Sequence, residues 1–109
     1  MNTFNDREKA FEAKFAHDEE LRFKVEARRD KLLGLWLAEK MGKTGGDAED
    51  YAKEVVISDL QEAGDEDVIA KVMADITEAK LDIDRSQIEA KLAEYMVEAG
   101  TQLGLLDDE

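Results

Sequence analysis

Four stretches of this chain repeat their apolar residues at helical spacing, and no proline interrupts any of them. In the first, Leu21, Val25, Leu32, Leu35 and Trp36 share one face; Lys40 sits in the last turn and Gly42 follows as the stop. A turn "KTGG" leads to a second helix, where Asp47 is expected as the cap and Asp50 as first-turn charge favoured by the helix dipole. Its stripe is Ala48, Tyr51, Ala52, Val55 and Val56, with Leu60 at the end, and Gly64 closes it. "GDED" then reads as a stop followed at once by a new start. Asp65 is the expected cap, and Val68, Ile69, Val72, Met73 and Ile76 form the third stripe. "KLDID" precedes the fourth helix, for which Ser86 with Glu89 and Asp84 with Gln87 are competing capping boxes. Its stripe is Ile88, Leu92, Tyr95, Met96, Ala99 and Leu103. Four such helices with short turns predict an all-α fold, a small antiparallel four-helix bundle over about residues 21–103. Gly34, inside the first helix, has two readings: a close approach by a neighbour, or a tolerated weak point costing roughly 1 kcal/mol.

A chain of 109 residues is expected to form one domain with a workable core. With no cysteine, neither a disulfide framework nor a thiolate metal site can form. The net charge of −13 is unevenly placed: residues 1–40 carry nine Lys/Arg and nine Asp/Glu, and residues 41–109 carry six against nineteen. So acidic a body repels nucleic acid phosphates and anionic lipid headgroups. The densest basic stretch, Arg22, Lys24, Arg28, Arg29 and Lys31 against Glu26 and Asp30, nets only +3. The longest apolar run, "LLGLWLA", is far too short to span a bilayer, and the N-terminus lacks the apolar core of a secretory signal. These features predict a cytoplasmic protein that neither binds nucleic acid nor inserts into a membrane.

Motifs that carry chemistry fail on inspection. "GKT" at 42–44 lacks the phosphate-loop glycine at position 37, which is Leu37, and follows a helix rather than a strand. Asp82, Asp84 and Ser86 begin like a calcium loop, but its sixth position is Gln87 and its twelfth Ala93, so the acids are better placed as helix caps. His17 is the single histidine and has neither a second histidine nor a cysteine for a transition metal. No nucleophile–base pair is legible. The sequence therefore predicts no cofactor, no metal and no enzymatic activity.

All four phenylalanines lie within the first 23 residues. Phe4, Phe11 and Phe15 fall within roughly 40° of one another on a helix turning about 100° per residue. Burying three such rings is worth roughly 5–9 kcal/mol, while ordering a free segment costs about 1–2 kcal/mol per residue. The four stripes already supply a core, and "AHDEE" separates these rings from Leu21. The alternatives are a fifth packed helix, one long first helix whose early turns fold onto the bundle, and an arm, mobile or weakly packed, that orders on a partner; the sequence favours the arm. Residues 1–20 are thus expected to be the arm and residues 21–109 the bundle, with its acidic tail.

The runs "FEAKFAHDEELRF" and "ARRDKLLGLW", then "YAKEVV", "EAGDEDV" and "KVMADI", resemble the zeta subunit family of alphaproteobacterial F-type ATP synthases. The resemblance covers nearly the whole chain and is densest through Gly42. It implies an inhibitory subunit that blocks ATP hydrolysis by binding the catalytic head, made of alpha, beta and gamma subunits, at the inner face of the plasma membrane. An N-terminal segment would enter an interface between catalytic subunits and stop rotation, while a four-helix body stays outside. Carried over, Phe4, Phe11 and Phe15 are apolar anchors of that segment, and Arg7, Glu8, Glu12 and Lys14 make its polar contacts. At position 30 the resemblance implies a neutral polar residue, and this chain has Asp30. The rival readings are a helical adaptor whose arm docks elsewhere and a bundle that binds a small molecule or nucleotide in its core.

Overall fold

A computed structural model describes residues 19–60 and 64–104 of the chain. They form four helices: α1 (Glu19–Lys40), α2 (Gly45–Asp59), α3 (Glu66–Glu78) and α4 (Arg85–Gln102). Helix α1 packs against α2 and α4, and α3 leans on the same two helices. The expected four-helix bundle is thus the observed architecture, and no strand occurs among the described residues.

The punctuation follows local chemistry. Gly42, at φ +79°, takes the left-handed position that ends α1, and the Lys43 N–H closes back on the Ala38 carbonyl at 2.8 Å. Asp47 is not the cap of α2. The helix starts two residues earlier, at Gly45, behind Thr44, whose extended backbone sets its carbonyl to accept from the N–H groups of Asp47 and Ala48. Asp47 keeps a role as first-turn charge. At α4, Asp84 and Gln87 win the capping box: the Gln87 N–H donates to Asp84 Oδ1 and the Asp84 N–H to Gln87 Oε1, both at 2.9 Å. Glu89 instead accepts from the Arg85 side chain.

The buried face of α1 is rotated from the expected stripe. Val25, Leu33, Leu37 and Ala38 are fully buried, whereas Leu32, Leu35 and Trp36 are only partly so. The buried line steps by four through Val25, Arg29, Leu33 and Leu37, and counting apolar residues skips its charged member. Helix α2 repeats the pattern. Tyr51, Ala52 and Val55 are buried as expected, but the line ends on Asp59, and Leu60 is 49% exposed. On α3 and α4 the expected stripes hold: Val68, Ile69, Val72 and Ile76 meet Ile88, Leu92 and Tyr95 in the main core, with Met73 packed at its edge. Val25, Met96 and Ala99 make a smaller cluster between α1 and α4, with Leu103 packed against it.

Gly34 marks a close approach of two helices. A Cβ there would stand 2.6 Å from the Ala52 Cα and 3.1 Å from its Cβ, so α1 and α2 touch backbone to backbone. The close-approach reading of this glycine is the correct one. Gly34→Ala should therefore lower stability by about 1–3 kcal/mol through overpacking, despite alanine's better helix propensity. Thermal unfolding would register this as a drop of roughly 4–8 °C per kcal/mol; an unchanged midpoint would show that the helices separate freely.

Candidate functional site

The strongest concentration of charge in the described residues is buried. Arg29 is 3% exposed and Asp30 is completely enclosed. The Arg29 Nε donates to Asp30 Oδ1 at 3.0 Å, and its Nη2 donates to Asp59 Oδ2 at 3.2 Å and to Asp65 Oδ1 at 3.0 Å. One guanidinium thus joins the middle of α1, the last residue of α2 and the residue before α3. Asp65 occupies the cap position of α3, as its place in "GDED" predicts, but its side chain makes no cap bond because it turns to Arg29. Burial alone would lower the Arg29 pKa; the charges of Asp30, Asp65 and Asp59 outweigh it and raise the value further. Arg29 is permanently charged.

Asp30 behaves differently. Burial, then its hydrogen bond to Asp59, outweigh Arg29 and push its carboxyl up to about 9. Asp30 Oδ2 and Asp59 Oδ1 are both buried and, as bare carboxylate oxygens, lack any donor. A proton held on Asp30 and donated to Asp59 satisfies both atoms at once. At neutral pH the residue at position 30 is therefore a neutral polar group, as the resemblance implied, although it is an aspartate.

A second polar cluster sits on the α2–α3 face. The Tyr51 hydroxyl donates to Asp75 Oδ2 at 2.8 Å, and Lys71 reaches the same oxygen at 2.8 Å and Glu54 at 2.9 Å. The Lys71 ammonium lies 5.3 Å from the centre of the Tyr51 ring. Burial and Asp75 raise the Tyr51 phenol above its ordinary range, so it stays a donor. At the surface, Arg85 bridges Glu66 and Glu89. Next to this bridge an open cleft of about 300 Å³ runs along α3 and α4, with Arg29 and Asp65 at one end and Ile69, Leu92 and Met96 in its wall.

These groups hold helices together; none forms a nucleophile with its base. Among the described residues, Glu26, Asp59 and Asp65 bring carboxylate oxygens within 4.8 Å of one another, but the Arg29 guanidinium already binds two of the three. Lys43 and Thr44 of "GKT" are exposed in the α1–α2 turn. Asp82 and Ser86 are exposed around the α4 cap, where Asp84 does the capping. Among the described residues no helix is long and apolar enough to cross a membrane.

The residues expected in the arm, Phe4, Arg7, Glu8, Phe11, Glu12, Lys14 and Phe15, lie outside the described residues, as does His17. Phe23 is described, and it is not part of the core: it stands 53% exposed on α1. Sequence reasoning missed the Arg29 network. The available signal was the doublet "RRD" on a line of apolar residues spaced by four, beside an acidic residue at each end of the α2–α3 connection.

An all-α four-helix bundle with a charge-locked interior is therefore the class of protein this chain represents. The match to the family model for ATPase inhibitor subunit zeta spans residues 1–102, and the chain belongs to that family. A solved solution NMR structure shares 45% identity and a TM-score of 0.69, over 77% of this chain and 95% of that one. No curated protein matches the chain.

The buried network makes two predictions. Arg29→Met should cost about 3–5 kcal/mol, because Asp59 would remain buried without its counter-charge. For Asp30, the folded chain holds a proton between the ordinary value of 3.8 and about 9 that the unfolded chain has released. Stability from this group therefore falls as pH rises through that window and levels off above it. Asp30→Asn removes the titration and keeps a donor toward Asp59, so its stability relative to wild type should improve steadily from pH of about 4 to about 9. Thermal midpoints of both proteins across that range test it, and parallel curves would show that Asp30 carries no proton.

Proposed function

We propose that this chain is an inhibitory subunit of an F-type ATP synthase, and that residues 1–20 form the arm that blocks ATP hydrolysis by the catalytic head. The observation that carries this reading is the extent of the family match, which runs from residue 1 through residue 102 and so includes the arm together with the bundle. The name of that family supplies the inhibitory role. The aromatic face of Phe4, Phe11 and Phe15 supplies the means: apolar area on a segment outside the four core stripes.

The mechanism is binding. The arm enters an interface between catalytic subunits of the head, with its three rings as anchors and with Arg7, Glu8, Glu12 and Lys14 in polar contacts. Residues 21–109 remain outside as the body. A wedge of this kind stops a rotary motor only if it binds one rotational state better than the others, because equal affinity shifts no population. Rotation in the direction of synthesis leaves that state and weakens the hold. This places the protein in the cytoplasm, at the head on the inner face of the membrane.

Deletion of residues 1–18 should abolish inhibition of the head while leaving the thermal midpoint near that of the intact chain. Phe11→Ala combined with Phe15→Ala should go most of the way, since two buried aromatics in an interface commonly contribute several kcal/mol and about 1.4 kcal/mol is tenfold in affinity. Undiminished inhibition without the arm would move the active surface onto the bundle. A large drop in midpoint for the double variant would make the rings part of the core.

A further inference from the structure

The α1–α2 face carries apolar side chains that the bundle does not cover. Phe23 is 53% exposed and Ile57 57%, and Leu60 follows one turn beyond Ile57 on α2 at 49%. Between the two helices run two adjoining depressions. One, of about 400 Å³, includes Phe23, Val56 and Leu103; the other, of about 240 Å³, includes Ala52, Val56 and Ile57. Val56 and Lys31 line both, so the two are one groove. At about 1.5 Å per helical residue, the stretch of α1 from Phe23 to Lys31 gives it a length of roughly 12 Å, enough for two to three turns of a partner helix.

Charge decides what such a groove accepts. Lys24, Arg28, Lys31 and Lys53 stand along it, against Glu49 alone. Lys24 and Lys31 make loose surface pairs with Glu20 and Glu49, at 3.4 and 3.9 Å, which screen readily. Arg28 and Lys53 have no ion pair among the described residues. In a chain of net charge −13, a face where cations outnumber acids four to one is the exception. An acidic partner is repelled by the rest of the molecule and admitted here. Exposed apolar area rimmed by charge of one sign is the pattern of a helix-in-groove contact.

We propose that this groove docks an acidic, apolar-ridged helix on the surface of the synthase head, as a contact separate from the arm. The proposal rests on the inhibitory reading above. The two contacts have different consequences. The arm stops rotation; the groove holds the body on the head and raises the effective concentration of the arm at its entry site. Weakening the groove therefore shifts the concentration needed for inhibition and leaves maximal inhibition intact, whereas loss of the arm removes inhibition at any concentration.

The test is titration of the isolated synthase head with three full-length proteins: wild type, Arg28→Glu with Lys53→Glu, and Ile57→Ser. Both variants should raise the half-inhibitory concentration by roughly tenfold or more at low salt, reach the wild-type plateau, and keep the wild-type thermal midpoint. Added salt should weaken the wild type more than the charge-reversed protein. Unchanged half-inhibition in both variants, with the wild type active, overturns this proposal alone. A wild type that does not slow the head overturns the inhibitory reading and this one with it. Two measurements on the isolated protein address other occupants. A shift of the Ile57 amide on removal of residues 1–18 or 105–109 would assign the groove to the chain's own ends. A dimer in sedimentation that the charge reversal disperses would assign it to a second copy. Either result overturns the proposal.

Discussion

The bundle depends on the Arg29 guanidinium. Asp59 is the last residue of α2, where the helix dipole is already negative, and it is 8% exposed. A buried carboxylate at the C-terminal end of a helix is unfavourable on both counts, and a cation from another helix is the remedy. Arg29 supplies it from the middle of α1 and takes Asp65, before α3, with the same nitrogen. The α2–α3 connection is therefore tied at both of its ends to one side chain on a third helix. The cost appears locally: Asp65 gives up its capping bond, and α3 starts without one.

Two further carboxyl oxygens beside this guanidinium raise the question of how so much negative charge stays buried. Three bare carboxylates on one cation would leave an excess that the interior cannot hold. The proton on Asp30 removes one of those charges and gives the Asp30–Asp59 pair a donor that neither has otherwise. Position 30 thus keeps the neutral, polar character expected there while presenting an acid, and it does so through its surroundings rather than its residue type. Buried networks of this sort add little stability beyond what a packed apolar trio would give, but they fix which helix ends meet. That matters where α1 contributes few strongly apolar turns and Gly34 demands one register against Ala52.

Most of the architecture was legible from spacing. The four helices, the stop at Gly42, the start at Asp65 and the stripes of α3 and α4 follow from apolar periodicity and the chemistry of helix ends. The errors in the stripes of α1 and α2 have one cause. Apolar counting cannot see a buried ion, so it turns the stripe of α1 off its true line at Arg29 and points Leu60 inward when Asp59 is the inward residue. Residue type alone points to Asp47 as a cap, although Thr44 and two glycines provide a start without a side-chain bond. For the candidate site, the aromatic face of Phe4, Phe11 and Phe15 was legible as a pattern, but the groove was not. Phe23, Val56, Ile57 and Leu103 come from three helices, and only packing brings them to one surface.

The placement of the lock also bears on how an inhibitor of this kind could resist a motor. Helix α1 begins at Glu19, within the last two residues of the segment proposed as the wedge, and Arg29 lies ten residues along it, about 15 Å down the axis at 1.5 Å per residue. A load entering α1 at Glu19 would be carried by the hydrogen bonds of the helix over Glu19–Lys40, with no proline in its length, into a side chain tied to two other elements. Displacing the start of α1 therefore requires displacing the end of α2 and the start of α3 as well, because the buried, permanently charged Arg29 ties all three. Under the proposed function, surface contacts of the body would add to those of the arm, because the two are joined through this helix end.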